Sequence, residues 1–238
     1  STDGVTWGTP VVLPATMTTA DTVSWSPTLN LFAVGGYSDL NLNVATSPDG
    51  INWTSRTSTA SQHTASTWSA SNNKFVMVGL TNGTNSAYTS ANGTAWIAGE
   101  TPNDKQFQSV TTAQGTTLVA VGSNFESFPV ENMIKSTDGG NFWSWMAPLG
   151  DTPGALALKE YHGVAYSTAD NIIVAVSDNP ASDENFNEYY NEGFVAVSYD
   201  NGTTWVPFSY MAGDIPSPRW GAIAYSPTLE VFVAINSS

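Results

Sequence analysis

The sequence predicts an all-β fold, a five-bladed β-propeller of four-stranded antiparallel blades. Two internal repeats and a strand-forming composition carry that expectation. Aromatic residues make up 12% of the chain and charged residues 11%, while Thr, Ser, Asn and Gly dominate the polar set. Such a composition favours pleated strands and tight turns over helices or disorder. A chain of 238 residues also buries roughly 70–75% of the surface it exposes unfolded, enough for a large core.

The first repeat is a turn. It reads S-x-[D/N]-G-x-x-W at Ser1–Trp7, Ser47–Trp53 and Ser90–Trp96, and S-x-D-x-G-x-x-W at Ser136–Trp143 and Ser198–Trp205. Asp or Asn accepts hydrogen bonds from nearby backbone N–H groups, and Gly takes the positive φ that other residues avoid. The Trp then opens the returning strand and supplies a wedge between neighbouring sheets.

The second repeat lies between the turns: a short strand ending in Trp/Tyr-Ser, a turn, then an apolar strand. It runs from Trp25 to Gly35, with related stretches at Trp68–Gly79, Val110–Gly122, Ala165–Ser177 and Ala224–Asn236. Apolar runs without strict alternation suit strands covered on both faces. Each unit therefore holds four strands. Complete units fall near residues 20–59, 62–101, 105–148 and 160–210, all in one domain spanning 1–238. Residues 219–238 and 1–13 are expected to share the closing blade, although no sequence supplies its third strand. That gap implies an incomplete blade or a piece of a longer chain. A start at Ser1, without methionine, points to the removal of N-terminal residues.

The turns resemble the Asp-box (BNR) repeats of sialidases and related propellers. Ser198–Trp205 matches that pattern at every specified position, and the first three copies are one residue short. With its Ser-Pro strands and Ser-Pro-Asp-Gly turns, the chain is also similar to uncharacterised propeller repeat proteins of phages and environmental bacteria. The resemblance implies a fold and no single activity, because one fold hosts many functions. Sialidases hold the substrate carboxylate with three arginines, whereas Arg56 and Arg219 are the only two here, so sialidase activity is disfavoured.

Charge excludes other classes. Twenty acids against six scattered bases give a net charge of −14, with no basic stripe to neutralise phosphates or anionic lipid. Neither nucleic-acid binding nor membrane insertion is expected. The absence of cysteine rules out disulfides and thiolate chemistry. An acidic, hydroxyl-rich surface suits an extracellular or virion-associated protein.

Extra sequence marks the candidate site. The first three units repeat every 43 residues, and insertions then appear near Ser123–Val130, Leu149–Lys159, Asp178–Glu192 and Met211–Pro218. In a four-stranded meander these connections open on the face opposite the Asp turns, and such elaborated loops commonly carry function. Residues entering the first strands form a ring on the same face: Thr19-Ala20-Asp21, Gln62-His63-Thr64, Lys105-Gln106-Phe107, Glu160-Tyr161-His162 and Arg219-Trp220-Gly221. Aromatic rings stack on sugar faces while carboxylates accept from hydroxyls. This selects His63, Glu160, Tyr161, His162, Asp178, Glu188, Tyr189, Tyr190, Arg219 and Trp220 as ligand-binding candidates. No cofactor is expected; calcium on the acidic loop Asp178–Glu192 is a weaker reading, without EF-hand spacing.

The leading expectation is a carbohydrate-binding recognition module whose partner is a glycan or cell-surface polysaccharide. A glycoside hydrolase or lyase is the alternative, with acid pairs drawn from Asp21, Glu131, Glu160 and Asp178. A propeller that docks another protein is the third.

Overall fold

Alternating side-chain direction along the second strand of each repeat determines how the sheets stack. The computed structural model describes residues 1, 3–80, 85–102, 106–123, 132–146, 160–178, 194–209 and 220–236, all of them strand, turn or irregular. The first unit contains β1 (Thr19–Ser26), β2 (Leu31–Tyr37), β3 (Val44–Ser47) and β4 (Thr54–Arg56). The second contains β5 (Gln62–Ser69), β6 (Lys74–Leu80), β7 (Ala87–Ser90) and β8 (Ile97–Gly99). The third follows with β9 (Gln106–Thr112), β10 (Leu118–Ser123), β11 (Met133–Ser136) and β12 (Ser144–Trp145). β13 (Glu160–Ser167), β14 (Ile172–Asp178), β15 (Phe194–Ser198) and β16 (Val206–Ser209) make the fourth. The chain ends on β17 (Trp220–Ser226) and β18 (Val231–Asn236).

Every complete unit is an antiparallel meander, and pairing of Tyr37 with Gln62 joins the first two into one sheet. The sheets stack face to face in chain order, with β1, β5, β9, β13 and β17 running beside one another. Successive residues of a second strand serve opposite neighbours, as period-2 geometry requires. Phe75 and Met77 pack on Ala33 and Val44 of the first unit, whereas Val76 and Val78 pack on Leu118 and Ala120 of the third. Val119 and Val121 then meet Ile173 and Ala175, and Val174 and Val176 meet Phe232 and Ala234. These four seams are the core.

The turns form as the sequence indicates. Asp49 Oδ1 accepts from Ile51 N at 2.8 Å and Asn52 N at 2.7 Å, while the buried Ser47 hydroxyl donates to it and accepts from Gly50 N. Those donors, Asn52 first, hold the Asp49 carboxyl well below the ordinary carboxylate range. The geometry recurs at Ser90/Asn92, Ser136/Asp138 and Ser198/Asp200. The longer copies add a second positive-φ residue, Gly139 before Gly140 and Asn201 before Gly202. Indole N–H groups of Trp53, Trp96 and Trp143 close each turn on the carbonyls of Gly50, Gly93 and Gly140. The wedge role holds most fully at Trp143 and Trp205, which are 1% and 2% exposed in their seams.

Among the described residues β17 and β18 form a two-stranded sheet, and residues 1–13 carry no strand. The Ser1–Trp7 turn keeps its hydrogen bonds, from Val5 N and Thr6 N to Asp3, yet Trp7 is 76% exposed. In complete units the residues ahead of the turn serine form the third strand that holds the turn in place.

Two of the ring candidates belong to the packing. His63 and Tyr161 occupy one repeat position with Phe107, opposite Gly79, Ser177 and Gly122 on the second strands, and all three side chains are fully buried. His63 Nε2 lies 2.9 Å from Ser58 Oγ, and its ring meets Tyr88 edge-on with centroids 5.3 Å apart. Burial pushes the His63 imidazole down to about 3 and raises the Tyr161 phenol.

Two outcomes follow from this packing. Gly50 and Gly93 share a φ near +70°, but a Cβ on Gly50 meets only Phe32 at 3.7 Å, whereas one on Gly93 meets Leu31 at 2.5 Å. Gly50→Ala is expected to cost about 1–2 kcal/mol from the left-handed backbone alone. Gly93→Ala should cost more, as a lower urea midpoint at equal slope.

For His63 the unfolded chain takes up the proton near pH 6.5 and the folded chain only near 3. Its contribution to stability is therefore complete above 6.5 and declines as pH falls toward 3. His63→Phe, which copies Phe107 of the next unit, should flatten the thermal midpoint between about pH 6.5 and 4.5, above the range where the turn carboxylates titrate.

Candidate functional site

All five first strands carry a bulge at the same place. Pairing skips Asp21 in β1, Thr64 in β5, Gln108 in β9, His162 in β13 and Gly221 in β17. A bulge leaves one residue outside the ladder, bends the strand and re-aims a side chain. Opposite three of the five bulges stands a glycine, where the first strand's backbone comes too close for a Cβ. At Gly79 the obstacle is the carbonyl of Gln62.

The bulges sit at the start of the first strands. The connections from second to third strand and from one unit to the next leave from this end. Asp turns, which follow the third strands, lie at the other end. Polar residues gather around the bulges. Asp21 is exposed and accepts from Gln62 Nε2 at 2.6 Å and Thr19 Oγ1 at 3.0 Å. Thr64 is half-buried and donates to the Phe107 carbonyl, linking β5 to β9. Ser109 Oγ accepts from Val164 N at 3.2 Å, and Thr22 Oγ1 lies 2.8 Å from Ser66 Oγ. Side-chain bonds thus tie each of the first four inner strands to its neighbour. Gln106, Gln108, Glu160 and His162 are half-buried at the same end.

The sequence candidates divide accordingly. Glu160 and His162 start β13 on this rim, while His63 and Tyr161 are buried between sheets. Trp220 is half-buried against Val174 and Val176, which makes it a seam residue at the start of β17. Asp178 ends β14, paired with Glu160 across the ladder. Glu188, Tyr189, Tyr190 and Arg219 lie outside the described residues, as does most of each insertion. Among the described residues, no three His, Cys, Asp or Glu side chains gather as a metal site.

Sequence reasoning missed Gln108. Unit three has a connection between its first two strands one residue shorter than the others, with Gly115 replacing the positive-φ Asn30, Asn73 and Asn171. Alignment on strand ends therefore selects Lys105-Gln106-Phe107 where strand pairing selects Gln106-Phe107-Gln108. Phe107, placed opposite a glycine like His63, is the signal that could have fixed the register.

No family model matches the chain, and no curated protein matches it. Solved structures do. YCF48 bound to D1 peptide is 14% identical with a TM-score of 0.57, over 94% of this chain and 62% of that one. The GH74 xyloglucanase from Xanthomonas campestris is 14% identical with a TM-score of 0.65, over 90% and 35%. Hydrazine synthase from Kuenenia stuttgartiensis is 11% identical with a TM-score of 0.66, over 90% and 61%. The chain thus spans less than two thirds of each of these proteins. With such identities the likeness reports architecture alone, and that architecture is the β-propeller.

Proposed function

We propose that this propeller is a carbohydrate-binding recognition module, with all five units serving as blades of one domain and the bulge end as its binding face. The observation carrying this reading is the bulge itself. It recurs in every first strand, while the residue in it changes from Asp21 to Thr64, Gln108, His162 and Gly221. A repeated frame that presents different donors and acceptors suits a ligand with unlike hydroxyl groups around one ring. Carboxylate, amide, imidazole and hydroxyl are the groups that pair with sugar hydroxyls. In this reading Asp178, Glu188, Tyr189, Tyr190 and Arg219 extend the face, Trp220 borders it, and exposure to extracellular or virion-surface glycans follows.

A glycan array followed by calorimetry with the best oligosaccharide tests the proposal. Glu160→Ala and His162→Ala should each weaken binding about fivefold, the value of one hydrogen bond near 1 kcal/mol. Thr94→Ala, on an Asp turn at the opposite end, should leave affinity unchanged. Absence of binding to every glycan, or equal loss from Thr94→Ala, overturns the reading. Release of reducing ends from a bound oligosaccharide would instead favour the hydrolase alternative, with Asp21 and Glu160 as the described acids.

A further inference from the structure

Two of the Asp turns contain the same tripeptide, Asn92-Gly93-Thr94 in unit two and Asn201-Gly202-Thr203 in unit four. A further Asn-Gly pair, at 82–83, lies outside the described residues. Glycine has no side chain to keep its amide nitrogen away from the Cγ of the asparagine before it, so such pairs are prone to cyclise. With local sequence equal, the two turns differ only in what the fold does with the asparagine amide.

Asn92 fills the position that Asp49, Asp138 and Asp200 hold in the other complete units. It is exposed, and its Oδ1 accepts from Thr94 N at 2.9 Å, Ala95 N at 3.0 Å and Ser90 Oγ at 3.2 Å. None of these bonds uses Nδ2. The buried Ser90 hydroxyl also accepts from Gly93 N at 2.9 Å. Gly93 N–H, Ser90 Oγ–H and Asn92 Oδ1 therefore form one hydrogen-bonded chain. Asn201 stands one position later in its turn, and its amide clasps the preceding unit. Nδ2 donates to Thr117 Oγ1 at 2.9 Å and to the Gln114 carbonyl at 3.3 Å, while Oδ1 accepts from Gln114 N at 2.9 Å.

We infer that Asn92 is a self-modification site, deamidated through a succinimide that its own turn promotes, and that the clasp on Asn201 protects the second pair. Gly93 N attacks Asn92 Cγ and passes its proton to Ser90 Oγ, which delivers its own to Oδ1. Gly93 is buried, so this hydroxyl takes the place of solvent as proton acceptor. Charge developing on Oδ1 meets two backbone N–H donors already in place. The hydroxyl proton of the adduct then moves to Nδ2, the Cγ–Nδ2 bond breaks, and ammonia leaves. Water opens the ring, at Cγ to give aspartate or at the main-chain carbonyl to give isoaspartate. One water is consumed and one ammonia released. Aspartate at 92 meets the kind of donors that keep Asp49 ionised, so unit two acquires the turn chemistry of its neighbours. At Asn201 the leaving nitrogen must first give up two hydrogen bonds.

Native protein aged in neutral buffer, digested and quantified peptide by peptide by mass spectrometry, tests this. Asn92 should convert about tenfold faster than Asn201, the rate factor of one to two hydrogen bonds. In urea, where only the shared Asn-Gly-Thr sequence remains, the two should convert at equal rates. Isoaspartate beside aspartate at 92 marks the cyclic intermediate. Ser90→Ala, folded by circular dichroism, should lose the excess rate at Asn92. The comparison within wild type decides the matter even where that variant fails to fold. An Asn92 that keeps its amide in the native protein overturns the inference, as do equal native rates at the two sites, aspartate alone at 92, or an undiminished rate in folded Ser90→Ala.

Discussion

Period-2 alternation on the second strand is the constraint from which the rest of this fold follows. β6, β10 and β14 are covered on both faces, so every one of their residues is committed to one neighbour or the other. A shift of one residue would exchange the two sets and present Phe75 to unit three and Val76 to unit one. Side chains packed to fit one neighbour would then meet the other, as Phe75 and Met77, fitted to Ala33 and Val44, would meet Leu118 and Ala120. This is why the apolar runs read as continuous and yet tolerate no slippage.

Two devices hold that register from outside the strands. At one end the turn serines, buried in every complete unit, fix the last residue of the third strand to the carboxylate or amide two positions later. At the other end the bulges absorb one residue of each first strand, letting it wrap closely over the second. Close wrapping explains the glycine at Gly36, Gly79 and Gly122, where backbone of the first strand occupies the space a side chain would need. Unit four departs, with Ser177 fully buried in that place. Rigid turns and adaptable bulges thus sit at opposite ends of the same sheets.

Legibility in the sequence followed the range of the interactions. The Asp turns were readable because Ser47 through Trp53 contains every donor, acceptor and positive-φ residue that the geometry uses. The sheet order was readable for a similar reason, from apolar runs spaced by those turns. The site was less so. His63 and His162 look equivalent when strand ends are aligned, but pairing puts one in a seam and the other in a bulge, a single residue apart. Burial of His63 depends on Tyr88 and Trp96 from the far side of its own sheet, contacts of long sequence separation. Trp25 and Trp53 carry the motifs of buried wedges and are only partly covered, since burial is decided by a neighbouring unit that their own residues do not encode.

This separation of scales constrains where function can develop. A change in a seam alters two sheets at once, because each seam residue is shared between units. A change at the outer rim of a turn disturbs a closed set of local hydrogen bonds. The bulge residue is skipped by the strand ladder and belongs to none of the four core clusters. Asp21, Thr64, Gln108, His162 and Gly221 have diverged within otherwise similar strands, as expected where packing imposes least. The inner strands supply five such positions on one rim. Recognition of an irregular polar ligand can be assembled there residue by residue without changing the sheets that carry it.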